Sequence, residues 1–306
     1  MISDSPARPT LRDLVRALRV NQWTKNAVVL AAFFFGYWDH AQHIHVLPHL
    51  AIACAAALFF CLVSSGIYLI NDVLDAQADR AHPVKRHRPI AAGRVPTGMA
   101  LRLAALLLAG GLGGAFVLAP RFLMALGGYV VLQMAYSTGL KRVALVDVFV
   151  IAGGFVLRAL SGALALNVII SPWLLLCAFL LALFLALCKR RHEKILMNDA
   201  GGASRQSLAD YDERLLDQLI AIIAAATVVS YSIYTLSAST ELKFGTTRLG
   251  FTIPFVIFGI FRYLDLVYRH EKGDRPEKIL LTDIPILVNL ALYAVCTIVI
   301  FLTRAH

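Results

Sequence analysis

Charged side chains are scarce in this chain: 16% of its 306 residues are Asp, Glu, Lys or Arg, where an average soluble domain has about 25%. With 59% hydrophobic residues and a mean hydropathy of +0.71, an ordinary soluble enzyme is excluded. Cysteine is sparse too. The five thiols, Cys54, Cys61, Cys177, Cys188 and Cys296, fall inside or at the edge of apolar runs without CxxC or Cys/His spacing, so neither a zinc site nor a disulfide framework is expected. Acidic residues number 19 against 29 basic ones, a net charge of +10. No basic stripe interleaved with aromatics accompanies that excess, which argues against a nucleic-acid partner. Met1 to Asn21 is polar and basic, and the apolar run behind it lacks a small-residue cleavage pattern, so that first run is expected to remain in the mature protein.

What the sequence has instead is a series of apolar runs of about 18 to 22 residues between short polar segments, long enough to cross a hydrocarbon core of roughly 30 Å as helices. The expected spans are 22–40, 48–71, 98–119, 121–139, 146–167, 172–188, 215–237, 249–268 and 283–303. Continuous apolarity over such lengths suits helices, which satisfy every backbone group within their own segment, and not barrel strands. The predicted architecture is an all-α integral membrane protein, nine transmembrane helices forming a single polytopic domain over 1–306. Gly110, Gly111, Gly113, Gly114, Gly153 and Gly154 are expected where helices approach closely.

Counting Lys and Arg on alternate sides of the nine spans puts 22 on one side, with Lys25 at the inner end of the first span included, and four, Arg121, Lys243, Arg248 and Arg304, on the other. The positive-inside rule then places the N-terminus and the loops 72–97 and 189–214 in the cytoplasm. Those two loops are also long, so any chemistry is expected on the cytoplasmic face. In the N-terminal segment 1–21, Leu11, Leu14, Val15 and Leu18 share a face beside Arg12, Arg16 and Arg19, a periodicity that permits an amphipathic anchor on the membrane surface.

The second span runs into Asn71-Asp72-Val73-Leu74-Asp75-Ala76-Gln77-Ala78-Asp79-Arg80. If the helix continues, Asn71, Asp75 and Asp79 lie at i, i+4 and i+8 on one face. Three oxygen ligands on one stripe suit a hard cation such as Mg2+, held by a few carboxylates together with water and substrate phosphate oxygens; the same spacing equally suits a solvated helix end. A dense cationic stretch follows, with Arg80, Lys85, Arg86, Arg88 and Arg94. Carboxylates for a metal beside Arg and Lys for phosphate form a complementary pair.

Asn71-Asp72-x-x-Asp75-x-x-x-Asp79 followed by Lys85-Arg86-x-Arg88-Pro89-Ile90-Ala91-x-Gly93 resembles the first aspartate-rich motif of the UbiA superfamily of membrane prenyltransferases. The resemblance implies nine transmembrane helices around a central cavity, with Mg2+ and diphosphate at its cytoplasmic mouth. Gln22-Trp23-Thr24-Lys25-Asn26, Tyr136-Ser137 to Leu140-Lys141, Asp147 through Gly154-Phe155-x-x-Arg158-Ala159, Lys189-Arg190-Arg191-x-Glu193, Tyr211, and Pro276-Glu277-x-x-Leu280-Leu281-x-Asp283 are similar to one branch, the decaprenyl-phosphate phosphoribosyltransferases. The quinone and haem prenyltransferases of the superfamily carry a second Asp-x-x-x-Asp motif after the sixth span. Here none of Asp199, Asp210, Asp212 and Asp217 has another Asp four residues on; only Glu213 and Asp217 form an acidic i,i+4 pair, and the cationic run Lys189-Arg190-Arg191-His192-Glu193-Lys194 stands instead. A sugar donor with a diphosphate and a 5-phosphate, meeting a lipid phosphate, calls for more positive charge than a prenyl diphosphate meeting a neutral aromatic.

The resemblance implies that Asp75 and Asp79, with Asn71 and neighbouring Asp72, hold Mg2+ on the donor's pyrophosphate. Lys85, Arg86 and Arg88 then stabilise the departing pyrophosphate. Lys25, Lys141, Lys189 and Arg190, at inner ends of different spans, are candidates for the remaining phosphates or are topological charges. Tyr136 and Tyr211 offer hydroxyls to ribose or phosphate, or belong to the aromatic belt; Glu193 suits a neighbouring cation or the ribose hydroxyls. Arg158 lies twelve residues into the fifth span, about 18 Å deep at 1.5 Å per residue. It must face the interior and have a partner there, functional or structural. His43, His45 and His49 have no matching carboxylates, and no metal site is expected at them.

The activity implied is Mg2+-dependent transfer of 5-phosphoribose from phosphoribosyl pyrophosphate to a polyprenyl phosphate of decaprenyl type, in a bacterial inner membrane, for cell-envelope glycan synthesis. The alternative is transfer of a prenyl chain to an aromatic quinone or haem precursor. A non-catalytic lipid carrier would need broken helices in paired repeats, which the sequence does not show. Apolar outer surfaces are compatible with a monomer or a homo-oligomeric ring.

Overall fold

The long apolar runs are helical in the computed structural model, which describes residues 9–81, 84–200, 210–269 and 276–304, leaving aside the side chains of 197–200 and 276–278. Helix α1 (Leu11–Ala17) starts at Thr10, whose side-chain oxygen accepts from the Asp13 N–H, satisfying a donor that the first turn leaves unpaired. A 3-10 segment, Val20–Leu30, leads into α2 (Ala31–Tyr37). Next come α3 (Val46–Leu74), α4 (Ala76–Ala81), α5 (Thr97–Leu118) and α6 (Pro120–Thr138). Pro120 opens α6 with only Ala119 between it and the end of α5, because proline lacks the N–H a continuing helix needs but fits a first turn. The chain continues through α7 (Val146–Leu166), α8 (Pro172–Ala200), α9 (Glu213–Leu236), α10 (Ala238–Phe244), α11 (Ile253–Arg269), α12 (Pro276–Thr282) and α13 (Ile284–Leu302). No strand occurs among the described residues.

Seven stretches among the described residues are long and apolar enough to cross a membrane: α3, α5, α7, α8, α9, Arg248–Arg269 ending in α11, and α13. The other two expected spans are helical but outside those seven, so length and apolarity alone support seven of the nine. Segment 22–40 is split between the 3-10 stretch and α2, and α6 is diluted by Arg121, Tyr129 and Gln133. The expected 189–214 loop is also corrected in part. Helix α8 runs on to Ala200, so Lys189 to Lys194 sit on a helix; residues 201–209 lie outside the described residues.

Helix α7 is the most buried of the seven and packs against the 3-10 segment, α2, α3, α6 and α8. One apolar core joins α7, α8, α9, α11 and α13 around Phe184, Leu216 and Tyr263. A second joins the 3-10 segment, α3, α5, α6 and α7 around Phe60, Leu126 and Tyr129. The closest approach involves Gly162, where an added Cβ would collide with the Val29 carbonyl oxygen. Gly111 and Gly114 likewise lie against Val63 and Phe59 of α3, whereas Gly110 and Gly113 have nothing within 4 Å of a Cβ position and face away from the packing. Helix α1 does more than lie on a surface: Ala17 is buried with Leu69, Ile90 and Val95, and Leu14 and Leu18 pack on the same cluster. Leu11 and Val15 remain exposed.

Candidate active site

The backbone carries the acidic motif through the end of α3 without losing helical register. The Asp75 N–H donates to the Asn71 carbonyl at 2.9 Å and the Asp79 N–H to the Asp75 carbonyl at 2.8 Å. Asn71, Asp75 and Asp79 therefore stack on one face, as their spacing predicts.

Each carboxylate of the motif meets a cation from elsewhere in the chain. One nitrogen of Arg88 donates to Asp79 at 2.7 Å and to Asp72 at 3.1 Å, and Asp72 also pairs with Arg19. Lys141 Nζ lies 2.5 Å from Asp75 Oδ1. Side chains of Asp72 and Asp79 are 4% and 6% exposed, while that of Asp75 is 29% exposed, so Asp75 is the carboxylate open to a ligand. Lys85 and Arg86 occupy the turn Lys85–His87 directly before Arg88, and Arg86 is exposed. Lys25 lies on the 3-10 segment.

Arg19 is a site neighbour that sequence reasoning missed. Its backbone is left-handed (φ +52°, ψ +45°), a conformation a non-glycine residue keeps only where surrounding contacts hold it. Those contacts are the ion pair to Asp72 and the Tyr68 ring, whose centre is 5.0 Å from the guanidinium. Arg94 ties α1 to the same loop through Asp13 at 2.8 Å and the His87 carbonyl at 2.8 Å. Hydrogen bonds from the Thr10 hydroxyl and Arg94 hold the Asp13 carboxyl below its ordinary value.

Among the described residues no three His, Cys, Asp or Glu side chains converge into a metal cage. The donors of the Asn71–Asp75–Asp79 face, of which Asp75 is the open carboxylate, nevertheless suit Mg2+. They are all oxygen, and this ion is commonly bound by one or two carboxylates and completed by water and substrate phosphates, without a full protein cage.

A second polar group joins the start of α7, the end of α8 and the turn before α9. Arg190 Nε donates to Asp147 Oδ2 at 2.6 Å and another of its nitrogens pairs with Glu193. The Tyr211 hydroxyl donates to Asp147 Oδ1 at 2.7 Å and accepts the Leu145 N–H at 2.7 Å. Burial and the Asp147 carboxylate push the Tyr211 phenol up, which keeps it the donor. Tyr136 stands within electrostatic reach of Arg190. The cationic run on α8 is thus largely neutralised. Arg190 is buried between two carboxylates, Arg191 bonds Asp217 at 2.6 Å and lies 4.0 Å from the Tyr268 ring centre, and Lys189 is 3.8 Å from Glu193. Lys189 is the more exposed of these cations. Asp147, lone in an apolar run, carried a sequence signal: an ionisable residue at such a position asks for a partner, and Arg190 is that partner.

Arg158 is placed apart from both groups. It donates to Asn26 Oδ1 at 2.8 Å, the Gly154 carbonyl at 3.0 Å and the Tyr129 hydroxyl at 2.8 Å, among the rings of Phe60, Tyr129 and Phe155. These contacts bind the 3-10 segment, α6 and α7 together, and they make the structural alternative for this arginine the one the geometry favours. The two polar groups, by contrast, are linked. Lys141 and Leu145 share the short connection between α6 and α7.

Fold and site together define a multi-pass, all-helical membrane protein with a cation-paired acidic motif at one end of the bundle. The profile of the UbiA prenyltransferase family matches residues 28–282, and the chain belongs to that family. Decaprenyl-phosphate phosphoribosyltransferase of Mycolicibacterium smegmatis is 35% identical over 297 residues, covering 91% of this chain and 89% of that protein. Its namesake in Corynebacterium glutamicum is 36% identical over 285 residues, covering 91% and 83%. The structure of a UbiA homologue from Archaeoglobus fulgidus bound to GPP and Mg2+ superposes with a TM-score of 0.69 at 19% identity, covering 95% of this chain and all of that one. That likeness shows the fold.

Proposed function

We propose that this protein transfers 5-phosphoribose from phosphoribosyl pyrophosphate to a polyprenyl phosphate of decaprenyl type, releasing pyrophosphate, with Mg2+ as cofactor. The observation that carries the reading is the near full-length similarity to two phosphoribosyltransferases at 35% and 36% identity. The site supports it: in place of a second acidic motif, α8 presents Lys189, Arg190 and Glu193, with Arg190 fixed on Asp147. The excess of Lys and Arg on one side of the expected spans supports a cytoplasmic site, and the bacterial source of the two relatives supports a bacterial inner membrane.

Asn71, Asp75 and Asp79 would hold Mg2+, which supplies positive charge to the donor's diphosphate. Asp72, buried and bound by two arginines, orients Arg88 and Arg19. Arg88, with Lys85 and Arg86 beside it, takes up charge developing on the leaving pyrophosphate. Lys141, placed against Asp75, is a cation for the donor's diphosphate; Lys25 and Lys189 are the cations for the remaining phosphates, and Arg190 sets Glu193 toward the ribose hydroxyls. Tyr211 acts from behind, holding the connection that carries Lys141, with Tyr136 near Arg190. An oxygen of the lipid phosphate is the nucleophile; it is already anionic near neutral pH, so no strong general base is required. Its bond to the anomeric carbon forms as the bond to pyrophosphate breaks, which gives inversion there.

A choice of substrates tests the reading. Purified protein with Mg2+ is offered radiolabelled phosphoribosyl pyrophosphate and polyprenyl phosphate, or prenyl diphosphate and 4-hydroxybenzoate. Label in the lipid fraction and no prenylated aromatic is expected; prenylation without lipid label would replace the proposal with the ordinary superfamily activity.

A further inference from the structure

Two of the three motif carboxylates, Asp72 and Asp79, are held by arginine, and the third, Asp75, by lysine. The two kinds of partner differ in chemistry. Arg88 spans two carboxylates from one nitrogen, and a guanidinium is planar and directional, whereas an ammonium is a point charge on a flexible stem. The connection that carries Lys141 is tied down four residues on: Leu145 has a positive φ of +65°, and its N–H is held by the Tyr211 hydroxyl on Asp147. Lys141 itself lies on the turn Leu140–Arg142, and its four-carbon stem is flexible. Its ammonium stands against Asp75, the most exposed carboxylate of the Asn71–Asp75–Asp79 face, where a divalent cation would sit.

We propose that Lys141 is a movable counter-ion that pairs with Asp75 until a divalent cation binds, yields the carboxylate to it, and then pairs with an anionic oxygen of the diphosphate. The inference rests on Asp75 being a metal ligand, as proposed above. Its consequence is coupling. A metal arriving alone must displace the ammonium without giving it a new partner, whereas with diphosphate present the displaced ammonium gains one. Metal and diphosphate therefore each tighten the binding of the other, as linkage requires.

The test uses the full-length protein in detergent with Mn2+ as a paramagnetic probe, titrated with and without inorganic pyrophosphate. Asp75→Asn gives the baseline for the Mn2+–pyrophosphate complex in solution. The wild type is expected to bind Mn2+ at least about fivefold tighter with pyrophosphate, the lower end of usual coupling. Lys141→Met should bind Mn2+ alone tighter by a similar factor and lose most of the enhancement. Lys141→Gln, which keeps a polar head for Asp75, is read in the same way if the Met variant fails to fold. Unchanged affinity and unchanged enhancement in the variant would overturn the inference and leave the metal reading standing. Absence of Mn2+ binding above the Asp75→Asn baseline in every protein, even with pyrophosphate, would overturn both.

Discussion

Arg190 Nε lies 2.6 Å from Asp147 Oδ2, and their side chains are 3% and 0% exposed. Removing one partner of a buried pair leaves the other charge uncompensated and costs about 3–5 kcal/mol. Asp147→Ala is expected to cost about 3 kcal/mol, the lower end, because Arg190 keeps Glu193. Thermal unfolding in detergent reads this as a lowered Tm. A Tm equal to that of the wild type would remove Asp147 from the framework of the site.

Two glycines that look alike in sequence should behave differently. Gly162→Ala drives a methyl into the Val29 carbonyl and should destabilise by about 1–3 kcal/mol, the usual cost of overpacking. Gly110→Ala points into open space and should be neutral or stabilising by up to about 1 kcal/mol, since alanine is the better helix former. Paired melting curves of the two variants check the difference.

Arg158 makes three directed hydrogen bonds to three separate segments, and one ammonium cannot reproduce that fork. Arg158→Lys should therefore lower Tm nearly as much as Arg158→Met, while the KM for the sugar donor stays at its wild-type value in the folded fraction. A donor KM raised tenfold with unchanged Tm would return Arg158 to the substrate site.

The docking of α1 should weaken in acid. Asp13 titrates below its ordinary value of 3.8 in the folded protein, so as pH falls the unhitched form binds the proton first. The stability this carboxylate lends is complete above that ordinary value and is lost as pH falls through the lower folded one. Hydrogen exchange over residues 11–17 should rise in that acid range, and Asp13→Asn should abolish the pH dependence.

Local patterns were legible in the sequence, and contacts across the chain were not. The i, i+4, i+8 stack of Asn71, Asp75 and Asp79 follows from helical spacing, and the structure keeps it through the break at Asp75. Seven of the expected spans follow from run length. The pairing of Lys141 with Asp75 crosses 66 residues, and no periodicity links the two. Arg19 depends on a left-handed backbone that nothing in its neighbours announces. Gly110 and Gly111 are adjacent and chemically identical, and only the position of α3 tells which one must remain small. The charge of the 189–194 run was legible, but its neutralisation by Asp147, Glu193 and Asp217 required the fold.

The account depends most on the acidic end of α3 being where phosphoribose is transferred. The direct measurement is label passing from phosphoribosyl pyrophosphate to polyprenyl phosphate with Mg2+, comparing the wild type with Asp75→Ala at matched Tm. Lipid-bound label from the wild type, reduced by at least about 100-fold in the variant, the scale expected when an electrostatic catalytic group is lost, is the predicted result. Label formed equally fast by Asp75→Ala would contradict the account.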